Sequence, residues 1–466
     1  MAPVLPSLAT LRSLAAEAYV YGRPLVANLT TVDGFVREGL GPLRARPFNR
    51  FAHATRLAGA DTPFVSVNTD TVYSVAQLDL SGGPLLLHVP DTNGAYYVLQ
   101  FVDAWTNNFA YVGRRATGTD EASWLIVPPG WAGVVPREVR GVIDAPTSLA
   151  TIVGRTACEG PDDMERVRIL HQRLTLTPVG SPHPGGLPAP DPGADAGLRF
   201  FERLRLWTAA FPPSAPDQAY QERFQPLGLL EEGPSPYADP DPVVVRALRE
   251  GLAEGKALVE AASTAEEFGE AFGEAGGEAG GDGERPPGAW HMDPHLFDYN
   301  LDHFGVGTID APRWRAPDRE ASYLRRAVAA RLALWGNHGY EAVYAQTFRD
   351  ADGEPLTGGR SYTLRFDVLP PVAAFWSVTM YDAPEYHLVA NPLDRYAIGD
   401  RTPGLRYADD GSLTLLIQRD PPPDPANWLP APPGPFRPVV RLYQPEDPVI
   451  DGAYTLPRIV RRRARR

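Results

Sequence analysis

NTDTVYSVAQLDL, residues 68–80, sets an Asn, an Asp and two Thr around the start of a stretch that alternates with period two. On a strand, Tyr73, Val75, Gln77 and Asp79 share one face and Val72, Ser74, Ala76, Leu78 and Leu80 the other, so the second face is the core side. Asn68 and Asp70 stand just before the strand, where an Asx side chain bonds its own backbone and caps a turn. The chemical alternative is that Asp70 and Tyr73 look into a cleft, as a carboxyl and a phenol that pass a proton to and from a bound molecule.

Strand patterning continues on both sides. PLLLHVP (84–90), DTNG (91–94) and AYYVLQFVDAW (95–105) read as strand, Asn-Gly turn and strand, a hairpin, because positive φ is easiest for Asn and Gly. SWLIVPPGW (123–131) and ATIVGRT (150–156) add two more strands, and GPDDMERVRILHQRL (160–174) a helix with Pro161 in its first turn. Upstream, Ser7 caps a helix with Leu8, Leu11, Leu14 and Ala18 on one face, which Gly22 and Pro24 end. Downstream, Phe200, Leu204, Trp207 and Phe211, then Val244, Leu248 and Leu252, then Leu324, Val328, Leu332 and Trp335 recur at helical spacing. Strands return in GGRSYTLRF (358–366), AFWSVTMYD (374–382), SLTLLIQRD (412–420) and PVVRLYQP (438–445).

The order β, α, β predicts an α+β protein of two β-sandwich or jelly-roll-like domains with a helical segment between them. The expected divisions are a helical lead-in over 1–60, a first β domain over 61–180, a helical connecting section over 181–350 and a second β domain over 351–466. The connecting section carries a flexible Gly- and Glu-rich insertion near 264–289, whose composition cannot bury enough surface to order itself. The second domain ends in a basic tail, RIVRRRARR.

At 466 residues, with 43% hydrophobic and 10% aromatic content, core burial is not limiting and more than one domain is expected. A net charge of −13 opposes general affinity for nucleic acid or an anionic membrane. The single cysteine, Cys158, excludes an intrachain disulfide and fits a reducing, cytoplasmic compartment. No apolar run reaches the roughly 18 residues of a membrane span.

Several stretches resemble a two-part bacterial and fungal family. AYVYGRP (18–24), NTDTVYSVAQLDL, YYVLQFVDAWTNNFAYVG (96–113) and LIVPPGW (125–131) are similar to its amino-terminal domain of unknown function twelve-fifty-four. DADGEPLTGGRSYTLRF (350–366), PPVAAFWSVTMYD (370–382), NPLDRYAIGDRTPGL (391–405), DGSLTLLIQ (410–418), PANWLPAPPGPFRPVVRLYQP (425–445) and DGAYTLP (451–457) resemble the carboxy-terminal companion, twelve-fourteen. The resemblance implies two β-sandwich or jelly-roll-like halves joined by helices, and it carries no agreed catalytic set. Many relatives begin with a secretion signal, a pattern from which this chain departs.

Candidate site residues come from the same stretches. In QFVDAWTNNF (100–109) a strand period puts Phe101, Asp103, Trp105 and Asn107 on one side. A carboxylate between aromatics is either desolvated, which suits an acid or base, or paired, with Arg114 and Arg115 nearby. The leading expectation is an enzyme acting on a small organic molecule, hydrolase-like in character. Asp103, Asp70 and Tyr73 would be catalytic, and Asn68, Asn107, Trp105, Trp376, Tyr381 and Arg441 would bind substrate. The alternatives are a non-catalytic small-ligand or carbohydrate binder and a structural assembly protein. HMDPHLFDYNLDH (291–303) gathers three His and three Asp at a spacing that matches no zinc pattern, so neither metal nor cofactor is expected. His338 follows a helix, where a cation suits the dipole, and Cys158 precedes one. No G-x-S-x-G elbow, P-loop or dinucleotide fingerprint stands in its required context. The expected partner is a small-molecule ligand, with no nucleic acid and no membrane, and a homo-oligomer is compatible with this reading.

Overall fold

The structure is a computed structural model that describes residues 6–62, 65–180, 183–267 and 286–462. Most of the Gly- and Glu-rich tract and the end of the basic tail lie outside the described residues. Beside a two-stranded ribbon of Gly39–Leu40 and Leu43–Arg44, the described residues of the first half form nine strands: β1 Phe51–His53, β2 Thr71–Asp79, β3 Leu85–Val89, β4 Tyr97–Asp103, β5 Asn108–Gly113, β6 Ala122–Val127, β7 Gly141–Asp144, β8 Leu149–Ala157 and β9 Thr175–Pro178. They form a five-stranded sheet in the order β1-β2-β8-β4-β5 and a four-stranded sheet in the order β9-β3-β6-β7. The second half contains β10 His291–Met292, β11 Ala342–Gln346, β12 Tyr362–Phe366, β13 Val372–Asp382, β14 Ala397–Gly399, β15 Leu413–Gln418, β16 Trp428–Pro430, β17 Phe436–Pro445 and β18 Val460–Arg461. Its sheets run β10-β11-β17-β13-β14 and β18-β12-β15-β16.

The two halves therefore have one topology. Adding nine to each strand number of the first half gives the strand order of the second, and the pairs β6/β7 and β15/β16 are both parallel in otherwise antiparallel sheets. The duplication is also written in the chain. DTVY (70–73) enters β2 as EAVY (341–344) enters β11, and GRRATG (113–118) leaves β5 as GDRTPG (399–404) leaves β14.

The expected face of β2 is the sandwich side: Ala76, Leu78 and Leu80 pack with Leu99, Phe101, Leu85, Leu87 and Ile126. The opposite face is covered as well, by helices. Val75, Val102 and Val153 pack against Leu25, Leu29 and Val32 of α1 (Leu8–Glu38) and against Phe201, Leu204 and Trp207 of α2 (Arg199–Ala210). Ser7 caps α1 by accepting from Thr10 N at 3.2 Å. The helix does not stop at Gly22 and Pro24 but runs through both, since its apolar stripe continues to Phe35 and tertiary packing outweighs local preference. Gly22 serves packing there: a Cβ would meet the Leu204 methyls at 2.5 Å. Two further long helices, α3 (Pro242–Glu267) and α4 (Arg319–Leu332), complete the helical layer.

The Asn93-Gly94 turn forms, with φ of 52° and 78°, but it is not a hairpin. It carries the chain from β3 in one sheet to β4 in the other, so turn chemistry was correct and strand pairing was not.

Candidate functional site

The five-stranded sheets of the two halves meet at a polar seam. In the first half, Tyr73 on β2 pairs in register with Arg155 on β8, and in the second, Tyr344 on β11 pairs with Arg441 on β17. These are equivalent rungs of the duplicated fold. In each the guanidinium lies over its tyrosine ring, at 5.5 Å for Arg155 and 5.9 Å for Arg441. Tyr344 is within electrostatic reach of Arg155, Tyr73, Arg441 and Asp70, so the rungs share one environment.

Both guanidiniums are buried and bond neutral oxygens. Arg155 donates to Gln100 Oε1 at 2.9 Å, Asn337 Oδ1 at 3.3 Å and Trp335 O at 3.0 Å. Arg441 donates to Thr379 Oγ1 at 2.7 Å, Ser66 O at 2.9 Å and the Tyr381 hydroxyl at 2.7 Å, and its Nε is buried without a partner. Burial works against the Arg441 cation. The Tyr381 and Tyr443 phenols and the Asp70 carboxylate outweigh it and hold the group firmly charged. Tyr73 and Tyr344 keep part of their surface accessible, although Arg155, Arg441, Asp70 and Tyr443 around them are buried. Burial raises the Tyr344 phenol above its ordinary value, which makes it a hydrogen-bond donor rather than an anion.

The acids three residues ahead of each tyrosine are read by the opposite half. Asp70 Oδ2 accepts from Ser377 Oγ at 2.7 Å and from the Tyr443 hydroxyl at 3.3 Å. Glu341 accepts from the Tyr96 hydroxyl at 3.2 Å and forms an ion pair with Arg115 at 2.6 Å. Arg401, the equivalent of Arg115 in the G-x-R repeat, makes no such pair: it donates to the Asp70 main-chain oxygen at 3.1 Å and lies 3.5 Å over the Phe375 ring. The duplicated device is thus a closed salt bridge around Glu341 and an open one around Asp70.

The seam brings together Asp70, Tyr73, Tyr381 and Arg441. Asn68 acts on it through the backbone, as the turn reading expected, with its Oδ1 accepting from Asp70 N at 2.5 Å and Thr71 N at 3.3 Å. Asp103 is elsewhere. On β8, Ala150 pairs with Asp103 while Ala157 pairs with Thr71, so Asp103 and Asp70 lie at opposite ends of the sheet. That is roughly 20 Å at about 3.3 Å per residue.

The strand period also fails there. β4 ends at Asp103, a tight turn follows with Thr106 at a φ of 68°, and Phe101 and Trp105 fall in different cores. Asp103 holds that turn, accepting from Asn107 N at 2.8 Å and Asn107 Nδ2 at 2.9 Å. Burial raises its pKa against the pull of His303, Asn107 and Arg326. Its equivalent, Asp382, accepts from His387 N at 2.6 Å in the same place of the second half. Arg114 and Arg115 are not its partners, since they bond Gln444 and Glu341. The Trp105 indole donates to Phe211 O at 2.7 Å in the helical core, and Asn107 also accepts from Arg326 at 3.1 Å. Trp376 points into the second sandwich with Val378 and Met380, away from the seam.

Other candidates resolve locally. His338 is no exposed helix-end cation: burial, then Arg115, lowers it to about 3, and its Nδ1 lies 3.0 Å from the hydroxyls of both Tyr111 and Tyr340. His295 bonds Asp298 at 2.6 Å, and no group of three or more His, Cys, Asp or Glu able to hold a metal forms among the described residues. Cys158 is buried, which pushes its thiol up. A surface groove of about 510 Å³ lined by residues 80–83, 128–129, 146–148, 210 and 212 has no titratable side chain, so the seam is the stronger chemical candidate. Among the described residues no helix is long and apolar enough to cross a membrane.

Arg155, Tyr344 and Ser377 were not singled out from sequence. The DTVY/EAVY and G-x-R repeats are the signal that finds them, because they align the two halves strand by strand.

Comparison with known proteins agrees with this architecture. The chain is similar over 97% of its length, and over all of the other chain, to the crystal structure of the VPA0106 protein from Vibrio parahaemolyticus, with 23% identity and a TM-score of 0.70. An uncharacterized protein from Burkholderia cenocepacia is a more distant likeness, with 11% identity, a TM-score of 0.43 and coverage of 98% of this chain and 95% of that one. Comparison with curated proteins gives no match. The family described as Protein of unknown function (DUF1254) matches residues 48–178, and that described as DUF1214 matches residues 341–447. The first match covers β1–β9 and the second β11–β17, in order, and the chain belongs to the two-part DUF1254–DUF1214 family.

Proposed function

We propose that the protein is an enzyme that binds a small organic anion at the seam between its halves and performs proton-transfer chemistry on it. The observation that carries this reading is the pair of Tyr–Arg rungs whose buried guanidiniums bond only neutral oxygens, beside an Asp70 carboxylate with no cation bound to it among the described residues. Burying an ion without a partner costs several kcal/mol, and an anionic ligand offsets that cost. Arg155 and Arg441 bind the anion, Tyr73 and Tyr344 donate to its oxygens, and Asp70, held by Ser377 and Tyr443, takes or returns the proton. Interfaces between domains are common places for such sites. Asp103, Trp105, Trp376 and Asn107 have no part in it. The cytoplasmic setting expected from the single cysteine belongs to the same proposal, as does the bacterial character of the family resemblance.

The second reading, a binder without turnover, is favoured by the neutral state of Tyr344, which suits recognition more than proton abstraction. Thermal melts of the full chain in a panel of organic acids test both. A bound acid at about 100 times its Kd stabilises by about 2.7 kcal/mol. That shift should vanish in Arg441→Gln. Turnover of the same acid should vanish in Asp70→Asn while binding persists. A panel that leaves the native melt unmoved, or an undiminished shift in Arg441→Gln, sinks the reading.

A further inference from the structure

The duplicated seam is asymmetric, and the asymmetry orients a ligand. Both halves contribute a tyrosine opposite an arginine, but the open acid serves only one rung. Asp70 is bonded by Ser377, which pairs in register with Arg441, and its charge supports the Arg441 cation. Arg155 donates to the Gln100, Asn337 and Trp335 oxygens and lies over the Tyr73 ring, and it forms no ion pair among the described residues. One end of the seam is thus a cation with no carboxylate paired to it among the described residues. The other is a cation already supported by a carboxylate, with an unused Arg441 Nε–H and the Tyr344 ring 5.9 Å from the guanidinium carbon.

We infer that the seam takes a small hydroxy- or oxo-acid in one orientation: its carboxylate on Arg155 and Tyr73, and its neutral oxygen at Tyr344 and Arg441, within reach of Asp70. This rests on the seam being an anion site. A monoanion complements the Arg155 end, whereas a second carboxylate at the other end would meet Asp70 and be repelled. A hydroxyl or carbonyl oxygen there is the better match, since it accepts from the phenol and the Nε–H, and a hydroxyl can also donate to the carboxylate. Buried donors left without such an oxygen are the source of discrimination against a ligand that lacks it.

Three probes of one carbon count read this directly: propionate, lactate and malonate, titrated into the full chain by calorimetry at matched ionic strength. Lactate should bind about tenfold more tightly than propionate, the worth of one hydrogen bond to a charged or buried donor, and malonate should bind most weakly. Arg155→Gln should abolish binding of both monoacids. Arg155→Lys should recover part of it, and circular dichroism melts establish that each variant is folded. Tyr344→Phe, which removes one hydroxyl, should erase the preference for lactate and leave propionate unchanged. Equal binding of lactate and propionate, with both lost in Arg155→Gln, overturns the orientation and leaves the anion site standing. Malonate binding tightest overturns it in favour of a two-ended anion. Carboxylates that bind no more weakly to Arg155→Gln, or that do not bind the native chain, overturn both.

Discussion

Asp70 and Glu341 occupy equivalent positions in the two halves and each is bonded by the opposite half, yet only Glu341 has a guanidinium on its carboxylate, that of Arg115 at 2.6 Å. One acid holds the halves together through an ion pair, and the other is bonded across the seam by hydroxyls alone. Glu341 is 1% exposed and Arg115 20%, so Glu341→Gln leaves a largely buried cation unmatched. Its expected cost is about 3 kcal/mol, toward the low end for a broken buried pair because Arg115 keeps some access to water. Asp70→Asn keeps an acceptor for Ser377 and Tyr443 and should cost about 1 kcal/mol. Urea melts of the two variants check the contrast, and equal losses would remove the distinction between the acids.

Asp103 and Asp382 make a second equivalent pair, each holding the turn that follows its strand. Asp103→Ala leaves the Asn107 amide groups without acceptors inside the protein, at about 1–3 kcal/mol for a buried unsatisfied group. Ligand affinity at the seam should be unchanged, because the turn lies at the far end of the sheet. Loss of binding in a stably folded Asp103→Ala would return this carboxylate to the site.

Local patterning made the α+β class and both sandwiches legible, because period-two alternation in NTDTVYSVAQLDL and AFWSVTMYD survives folding unchanged. It failed where the deciding contact is distant in sequence. Pro24 sits within α1 because the helix is covered by tertiary neighbours, among them Leu204. The strands flanking Asn93-Gly94 part because each finds its ladder elsewhere, β3 with β6 and β9, and β4 with β8 and β5. Of the site, Tyr73, Tyr381 and Arg441 were visible as polar residues on strands, and Asp70 in the turn just before one. Arg155 was not, since an arginine opposite a tyrosine depends on a register that only the repeat reveals. The reading of Asp103 assumed a strand through residue 107, and the positive φ at Thr106 breaks it.

Asn28 joins three elements. Its Nδ2 donates to Asp103 O and Ala104 O, both at 3.0 Å, and its Oδ1 accepts from Trp335 Nε1 at 2.8 Å. Trp335 O in turn accepts from Arg155, so α1 supports the first Tyr–Arg rung through one side chain. Asn28→Ala leaves Ala104 O and Trp335 Nε1 without a partner, while Asp103 O keeps the Thr106 amide, and it should cost about 2 kcal/mol or more. It should also weaken ligand binding by loosening Arg155. A melt within about 1 kcal/mol of the native protein would show that water replaces both lost partners.

His53 and His171 stack at 4.8 Å and 22° between β1, β8 and the helix Met164–Arg173, with Ser74 and Thr156 as their hydroxyl partners. Burial, then Arg46, lowers His53 to about 4; burial, then His53 and Arg166, lowers His171 to about 3. Both folded values lie below the unfolded value near 6.5, so the native state binds fewer protons than the unfolded one across that interval. Their contribution to stability is fully present above about pH 6.5. It is lost as pH falls toward about 4 for His53 and about 3 for His171. Each pKa unit is worth about 1.4 kcal/mol, so each histidine should remove about 3 kcal/mol between neutral pH and pH ~4. The His53→Gln/His171→Gln double variant, which keeps polar side chains and cannot charge, should flatten that part of the profile. Denaturant melts across the interval decide it: a native protein whose stability is level from neutral pH to pH ~4, or a double variant with the same slope as the native chain, would show that the stacked pair does not govern its acid sensitivity.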